Sequence, residues 1–362
     1  MKLPDILDAE STNKLNPCMQ VGVEHTFDNG IKNIVDQILV PHTAVENAIN
    51  RITRCFITAK GSQEPVCISV IGPSRTGKTR VFNYIESKNP RYRLDDGLIV
   101  PILKVTTPSN PTVKGLAEVL LHKLGDPTPG KGTEVNMTSR LIKLLEKVQT
   151  RMIIVDEFQH FYDKQSHKVM HHVADWLKTV IDDSKVSLVV GGLPTCQAVL
   201  NQNEQLSGRF LGQLVMPRFD WENDDSRTEF IGILEAFQGM LTDYEMPKLD
   251  SDEMAFRFYC ATGGLIGYIV KILRQAIWNA MFEETKVISL DSLKIAYQES
   301  VYVDESSKGL LPVFDRGFIT KATTDLLERV KMIGVKAPEI ELVRRSKKSS
   351  EKLTTNQVLA AS

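Results

Sequence analysis

No uncharged apolar run in this 362-residue chain approaches the ~18 residues of a membrane-spanning helix. The first residues, Met1-Lys2-Leu3-Pro4-Asp5-Ile6-Leu7-Asp8, carry acids where a secretory leader needs an apolar core. Cysteine is scarce: Cys18, Cys55, Cys67, Cys196 and Cys260 are odd in number and contain no C-x-x-C pair. A disulfide scaffold is thereby excluded, and the thiols read as reduced and packed. Neither sign of charge predominates, with 44 Lys+Arg against 45 Asp+Glu. Nucleic-acid binding therefore has to come from a local patch. These absences lead us to expect a cytoplasmic protein with no membrane partner.

The rest of the composition, 42% hydrophobic and 25% charged, is that of an ordinary globular protein with one large or two modest domains. Residues 1–36 are polar and mixed and read as an arm. Between His42 and Ile57, the positions Ala44, Val45, Ala48, Ile49 and Ile52 have helical spacing. Short, β-branched apolar runs follow at 66–71, 98–103, 152–155 and 186–190. Helical patterns at 79–87, 112–124, 138–148 and 167–182 separate them. Buried strands alternating with helices predict a parallel α/β sheet. After Trp221 the strands stop. Phe230, Ile233, Leu234 and Phe237, then Ile266, Ile269, Val270, Leu273 and Ile277, predict a small all-helical unit. Residues 305–362 carry 11 Lys+Arg against 7 Asp+Glu. They read as a basic tail for DNA or a protein partner, partly disordered.

The chemistry concentrates in Gly72-Pro73-Ser74-Arg75-Thr76-Gly77-Lys78-Thr79, which matches G-x-x-x-x-G-K-[ST] between a predicted strand and a predicted helix. Glycine lets backbone N–H groups curl round phosphate oxygens, and the helix that follows, through Arg80, adds its N-terminal partial charge. Lys78 is placed to reach the β- and γ-phosphates, Thr79 to hold magnesium. The strand 152–155 delivers Asp156-Glu157 at its carboxyl end, where ligands of open α/β sheets sit. Asp156 fits the magnesium water shell, and Glu157 fits a base that orients the attacking water.

Together these residues resemble the AAA+ ATPases: an α/β P-loop parallel-sheet domain with a small all-helical lid. Further features resemble the TnsC/TniB family of transposition regulators, found in transposons that include CRISPR-associated ones. The S-R-T-G-K-T form of the loop is one. Ile38-Leu39-Val40-Pro41-His42 stands where the family wraps adenine, which implies base contacts from Val40 and Pro41. Glu204-Gln205-Leu206-Ser207-Gly208-Arg209-Phe210 resembles an E-Q-x-x-x-R-F element, which implies that Arg209 is an arginine finger for the neighbouring subunit. Thr262-Gly263-Gly264-Leu265-Ile266-Gly267 resembles the start of the lid helix. The resemblance spans residues 36–300. It implies an arm at 1–35, an ATPase domain at 36–220, a lid at 221–304 and an extension at 305–362.

It further implies ATP-driven assembly on duplex DNA as a ring or helical filament. That assembly links a target-selection protein or CRISPR effector complex to the transposase, and hydrolysis resets it. Lys114, and Lys131 and Thr133 in Lys131-Gly132-Thr133, occupy places that line the DNA in the family. Residues 101–150 carry 7 Lys+Arg against 4 Asp+Glu, a local excess that repetition amplifies. Two departures imply slow turnover: Gly191-Gly192-Leu193-Pro194 stands where a polar sensor is expected, and Tyr268 replaces a basic lid residue, with Lys271 one turn later. The alternatives are a helicase loader or signalling ATPase, and a scaffold that holds ATP with little hydrolysis. His167, His171 and His172 read as surface histidines. Trp176, Trp221 and Trp278 read as core or interface anchors.

Overall fold

The computed structural model describes residues 35, 39–59, 64–95, 97–109, 111–163, 166–301 and 311–335. The expected arm, save Val35, lies outside them, as do Cys18 and the basic run Arg344-Arg345-Ser346-Lys347-Lys348.

The main sheet has five parallel strands, in the order 102–106, 152–156, 187–192, 68–71 and 214–215. Helix α1 (Thr43–Thr58) leads into β1 (Ile68–Ile71), and α2 (Lys78–Lys88) follows it. A two-stranded hairpin of β2 (Tyr92–Leu94) and β3 (Gly97–Ile99) stands apart, and the chain then enters the sheet as β4 (Ile102–Thr106). Helices α3 (Val113–Leu124) and α4 (Glu134–Lys147) precede β5 (Met152–Asp156); the short α5 (His160–Asp163) and α6 (His167–Ser184) precede β6 (Ser187–Gly192). Two short helices, α7 (Cys196–Leu200) and α8 (Glu204–Ser207), then lead to β7 (Leu214–Val215).

Strand alternation divides the core. Met152, Ile154 and Val189 pack with Val45, Ile49 and Ile52 of α1 and Val81, Phe82 and Ile85 of α2. Ile153, Val155, Leu188 and Val190 face the other way, onto α3, α4 and α6. The two-residue period thus builds a three-layer sandwich whose strands are buried on both faces. The expected single strand at 98–103 is broken by Pro101, which offers no N–H to a ladder. Its carbonyl instead accepts from Arg151 N and Met152 N at 3.0 and 3.3 Å. Sequence pattern also misses β7, whose two residues are too few to show a period.

After Trp221 only helices follow among the described residues: α9 (Asp224–Met240), α10 (Asp252–Thr262), α11 (Ile266–Phe282), α12 (Leu290–Ser300) and α13 (Thr324–Lys331). Their core holds Phe230, Phe237, Phe258, Tyr259, Ile269 and Leu273. Residues beyond 304 join it: Val313, Phe314, Leu327 and Val330 are buried there. Arg257, 2% exposed, donates to the carbonyls of Val313 and Asp315. Trp221 stacks among Phe230, Phe256 and Tyr259, while Trp176 donates to Thr138 Oγ1 at 2.8 Å. Among the described residues no single helix is long and apolar enough to cross a membrane. The pair α10–α11 passes only together, bent by 107°.

Candidate nucleotide site

Three segments converge at the carboxyl end of the sheet. The loop 72–77 leaves β1 under tight constraint: a Cβ on Gly72 would lie 2.1 Å from Met216 O, whose own N–H donates to Ile71 O. Arg75 and Gly77 both take positive φ, 69° and 97°, turning successive amides toward the start of α2. Lys78, 7% exposed, donates from Nζ to Gly72 O at 2.8 Å and Pro73 O at 2.6 Å. Burial pulls its pKa below the ordinary value, and the nearby Glu157 and Asp156 oppose that shift. Its hydrogen-bond partners are neutral carbonyls, so a buried cation faces the cleft with its charge available to a polyanion.

Asp156, 1% exposed, is held from three sides. Thr79 Oγ1 donates to its Oδ2 at 2.6 Å, Glu157 N to its Oδ1 at 2.9 Å, and Thr107 Oγ1 to its carbonyl at 2.9 Å. Burial pushes its carboxyl pKa up, against the Thr79 and Glu157 donors. A hydroxyl and a carboxylate oxygen this close, with free lone pairs and few other ligands, suit magnesium, which keeps several waters and takes substrate phosphates. Among the described residues no group of three His, Cys, Asp or Glu forms an all-protein metal cage. His171 and His172 instead pair with Asp175 and Glu134, each at 2.8 Å.

A cleft of about 430 Å³ joins these parts to the helical unit. Ser74, Arg75, Thr76, Gly77, Lys78, Thr79, Arg80 and Glu157 line its phosphate end. Val40, His42, Val45, Phe237 and Val270 line the other, apolar end. Pro41 and Lys271 are not among the lining residues. Lys271 has its pKa lowered by burial and by Arg75 and Arg274. The lid clasps the loop directly: Gly267 N donates to Arg75 O at 2.9 Å, and the Arg75 guanidinium lies 4.5 Å from the centre of the Tyr268 ring. Tyr268 thus holds the loop by a cation–π contact rather than reaching the cleft with a charge.

Two further residues, one lining the cleft and one bonded to Glu157 from behind it, carry no motif in the sequence. His42 is 8% exposed, both its ring nitrogens lack a hydrogen-bond partner, and it packs edge-on against Phe219. Burial lowers its pKa to about 4, which Glu229 partly opposes. Gln159 donates to the Glu157 carboxylate. Its signal was the Asp-Glu-Phe-Gln run beside the bare Gly191-Gly192.

Arg209 lies elsewhere. Cys67 N donates to Arg209 O at 3.0 Å and Leu211 N to Cys67 O at 2.9 Å, which ties this segment to the start of β1. The loop leaves from the other end, about 16 Å away at 3.3 Å per residue. The Arg209 guanidinium is ion-paired with Asp182 of its own chain. Lys114, Lys131 and Thr133 are exposed, and Thr133 caps α4 by accepting from Asn136 N. The loop before α4 folds back on α3: a Cβ on Gly130 would lie 2.7 Å from Glu118 Oε1, one helical turn from Lys114.

Among solved structures, the chain resembles the Aeropyrum pernix ORC2 protein in its ADPNP–ADP complexes. The TM-score is 0.55 at 13% identity, over 75% of this chain and 72% of that one. It resembles Cdc6p from Pyrobaculum aerophilum equally, with TM-score 0.55 and 13% identity over 76% and 73%. The Aeropyrum pernix ORC1 protein in complex with DNA gives 0.52 and 16%, over 74% and 69%. These likenesses establish the P-loop AAA+ fold. No curated protein matches the sequence. The family model described as bacterial TniB protein matches residues 31–221, more than half of the chain. The chain belongs to the TniB family.

Proposed function

We propose that this protein is a transposition-regulating ATPase that assembles on duplex DNA. The observation that carries the reading is that Lys78, Thr79 and Glu157 line one cleft while Asp156 is bonded to Thr79 and to the Glu157 amide. ATP lies with its base among Val40, His42, Phe237 and Val270 and its phosphates in the loop 72–79. Thr79, with Asp156 through the metal's waters, would hold magnesium, which would neutralise phosphate charge. Glu157 accepts a proton from water as the water oxygen bonds to the γ-phosphorus. The bond from that phosphorus to the bridging oxygen breaks, and its electron pair leaves with ADP.

Arg209 serves a neighbouring copy. Its place at the far end of β1 puts its own nucleotide beyond reach of the side chain, which supports a role in trans. Joining a neighbour requires the guanidinium to leave Asp182. Hydrolysis then depends on assembly. Lys114, Lys131 and Thr133 contact phosphates of the enclosed duplex, giving salt-dependent affinity with little sequence preference. The assembly recruits the transposase to a site chosen by a target-selection protein or CRISPR effector complex, and hydrolysis clears it elsewhere.

Electron microscopy of the protein with duplex DNA and a non-hydrolysable ATP analogue tests this reading. Rings or helical filaments round the duplex, absent without nucleotide, are expected; dispersed monomers under both conditions overturn it.

A further inference from the structure

At the end of β6, where a polar side chain was expected, two consecutive glycines stand, and the space above them is filled. A Cβ on Gly191 would lie 2.2 Å from the Phe82 ring and 3.2 Å from Asp156 Oδ1. A Cβ on Gly192 would lie 2.2 Å from Gln159 Oε1 and 2.5 Å from Cys196 Sγ. The missing side chain at Gly192 is thus the room that Gln159 occupies.

Gln159 is 5% exposed, and both ends of its amide are engaged. Oε1 accepts from Leu193 N at 3.2 Å, just past β6; Nε2 donates to Glu157 Oε2. The amide therefore bridges the end of β6 to the acidic residue that lines the cleft. Because Oε1 is fixed by a backbone N–H, the amide orientation is set, and its donor can only face Glu157.

Glu157 is itself unusually constrained. Its φ of 55° is a left-handed value that a non-glycine residue adopts only where its surroundings impose it. Glu157 N is bonded to Asp156 Oδ1, and the next amide, Phe158 N, donates to Gly191 O at 2.9 Å. Backbone bonds on both sides fix where the side chain starts, and Gln159 fixes where it ends. With Oε2 tied, Oε1 is the oxygen left to receive a proton from a water in the cleft.

We propose that Gln159 is the positioning residue for Glu157, and that Gly192 lacks a side chain in order to admit it. The inference rests on the hydrolytic reading above. It replaces an expected deficiency with a substitute: the polar group at the end of β6 is supplied from the neighbouring strand's loop.

The test is steady-state phosphate release by full-length protein on duplex DNA, with ATP titrated, for wild type, Gln159→Leu, Gln159→Glu, Glu157→Gln and the double variant Glu157→Gln/Gln159→Leu. Gln159→Glu keeps the shape but cannot donate when ionised, so it guards against a Gln159→Leu protein that fails to fold. Both single Gln159 variants are expected to lower kcat about 10- to 100-fold while KM stays within about twofold, because the amide orients the base without touching nucleotide. On the Glu157→Gln background, Gln159→Leu is expected to cost nothing further. Wild-type kcat in either single variant, or an equal fall on both backgrounds, overturns the assignment of Gln159 alone. Wild-type protein that binds ATP but releases no phosphate removes the hydrolytic reading and this inference with it.

Discussion

The Thr79 hydroxyl and the Asp156 carboxylate meet at 2.6 Å across two elements 77 residues apart in sequence, one opening α2 and the other ending β5. In the proposed site this pairing would serve a divalent cation, Thr79 directly and Asp156 through the cation's waters. Thr79→Ala removes the hydroxyl that would hold the cation. ATP binding should then lose most of its dependence on magnesium, weakening at least tenfold in magnesium buffer yet changing little in EDTA. Calorimetric titrations in the two buffers measure the difference.

Arg209 should separate binding from turnover. In Arg209→Ala, ATP affinity of the isolated protein is expected to be unchanged. DNA-stimulated phosphate release should fall about 10³-fold, the low end of what such guanidinium contacts supply. Asp182 keeps Lys178 as a partner when the guanidinium is removed, and a cooperative melting curve of the variant checks that it is folded. Turnover at the wild-type rate contradicts the interface role.

His42 makes a prediction in pH. Its pKa of about 4 in the folded protein lies below the ordinary 6.5, so the unfolded chain binds the proton more tightly. Stability from this group is therefore full above about pH 6.5 and is lost as pH falls toward 4. The loss amounts to about 3 kcal/mol. Relative to His42→Phe, which fills the space beside Phe219 without titrating, the wild type should lose stability across that window in chemical denaturation. Parallel curves contradict the burial argument.

The proposed DNA contacts predict a salt signature. Lys114→Ala and Lys131→Ala should each weaken binding to unrelated duplexes alike and flatten the slope of log affinity against log salt by roughly one. A change in sequence preference with an unaltered slope points instead to base contacts.

The site was legible where its chemistry is local. The loop 72–79 and Asp156-Glu157 could be picked out because their residue types and spacing are local in the sequence, and the strands feeding them carry unbroken apolar runs. What escaped is what depends on two distant segments meeting. Gln159 looks like any polar loop residue until the bare Gly192, 33 positions on, is seen to leave room for it. In the sequence His42 is only the end of a base-wrapping segment; it packs against Phe219, far along the chain. In the fold, Pro101 split a run that hydropathy had joined, and residues 311–335 entered the helical core although their charge suggested a tail.

Calorimetric titration of ATP into the wild-type protein and Lys78→Ala tests the central claim most directly. The account predicts saturable one-to-one binding that Lys78→Ala abolishes while its melting curve remains cooperative. No heat of binding to well-folded wild type, or equal affinity in the two proteins, contradicts it.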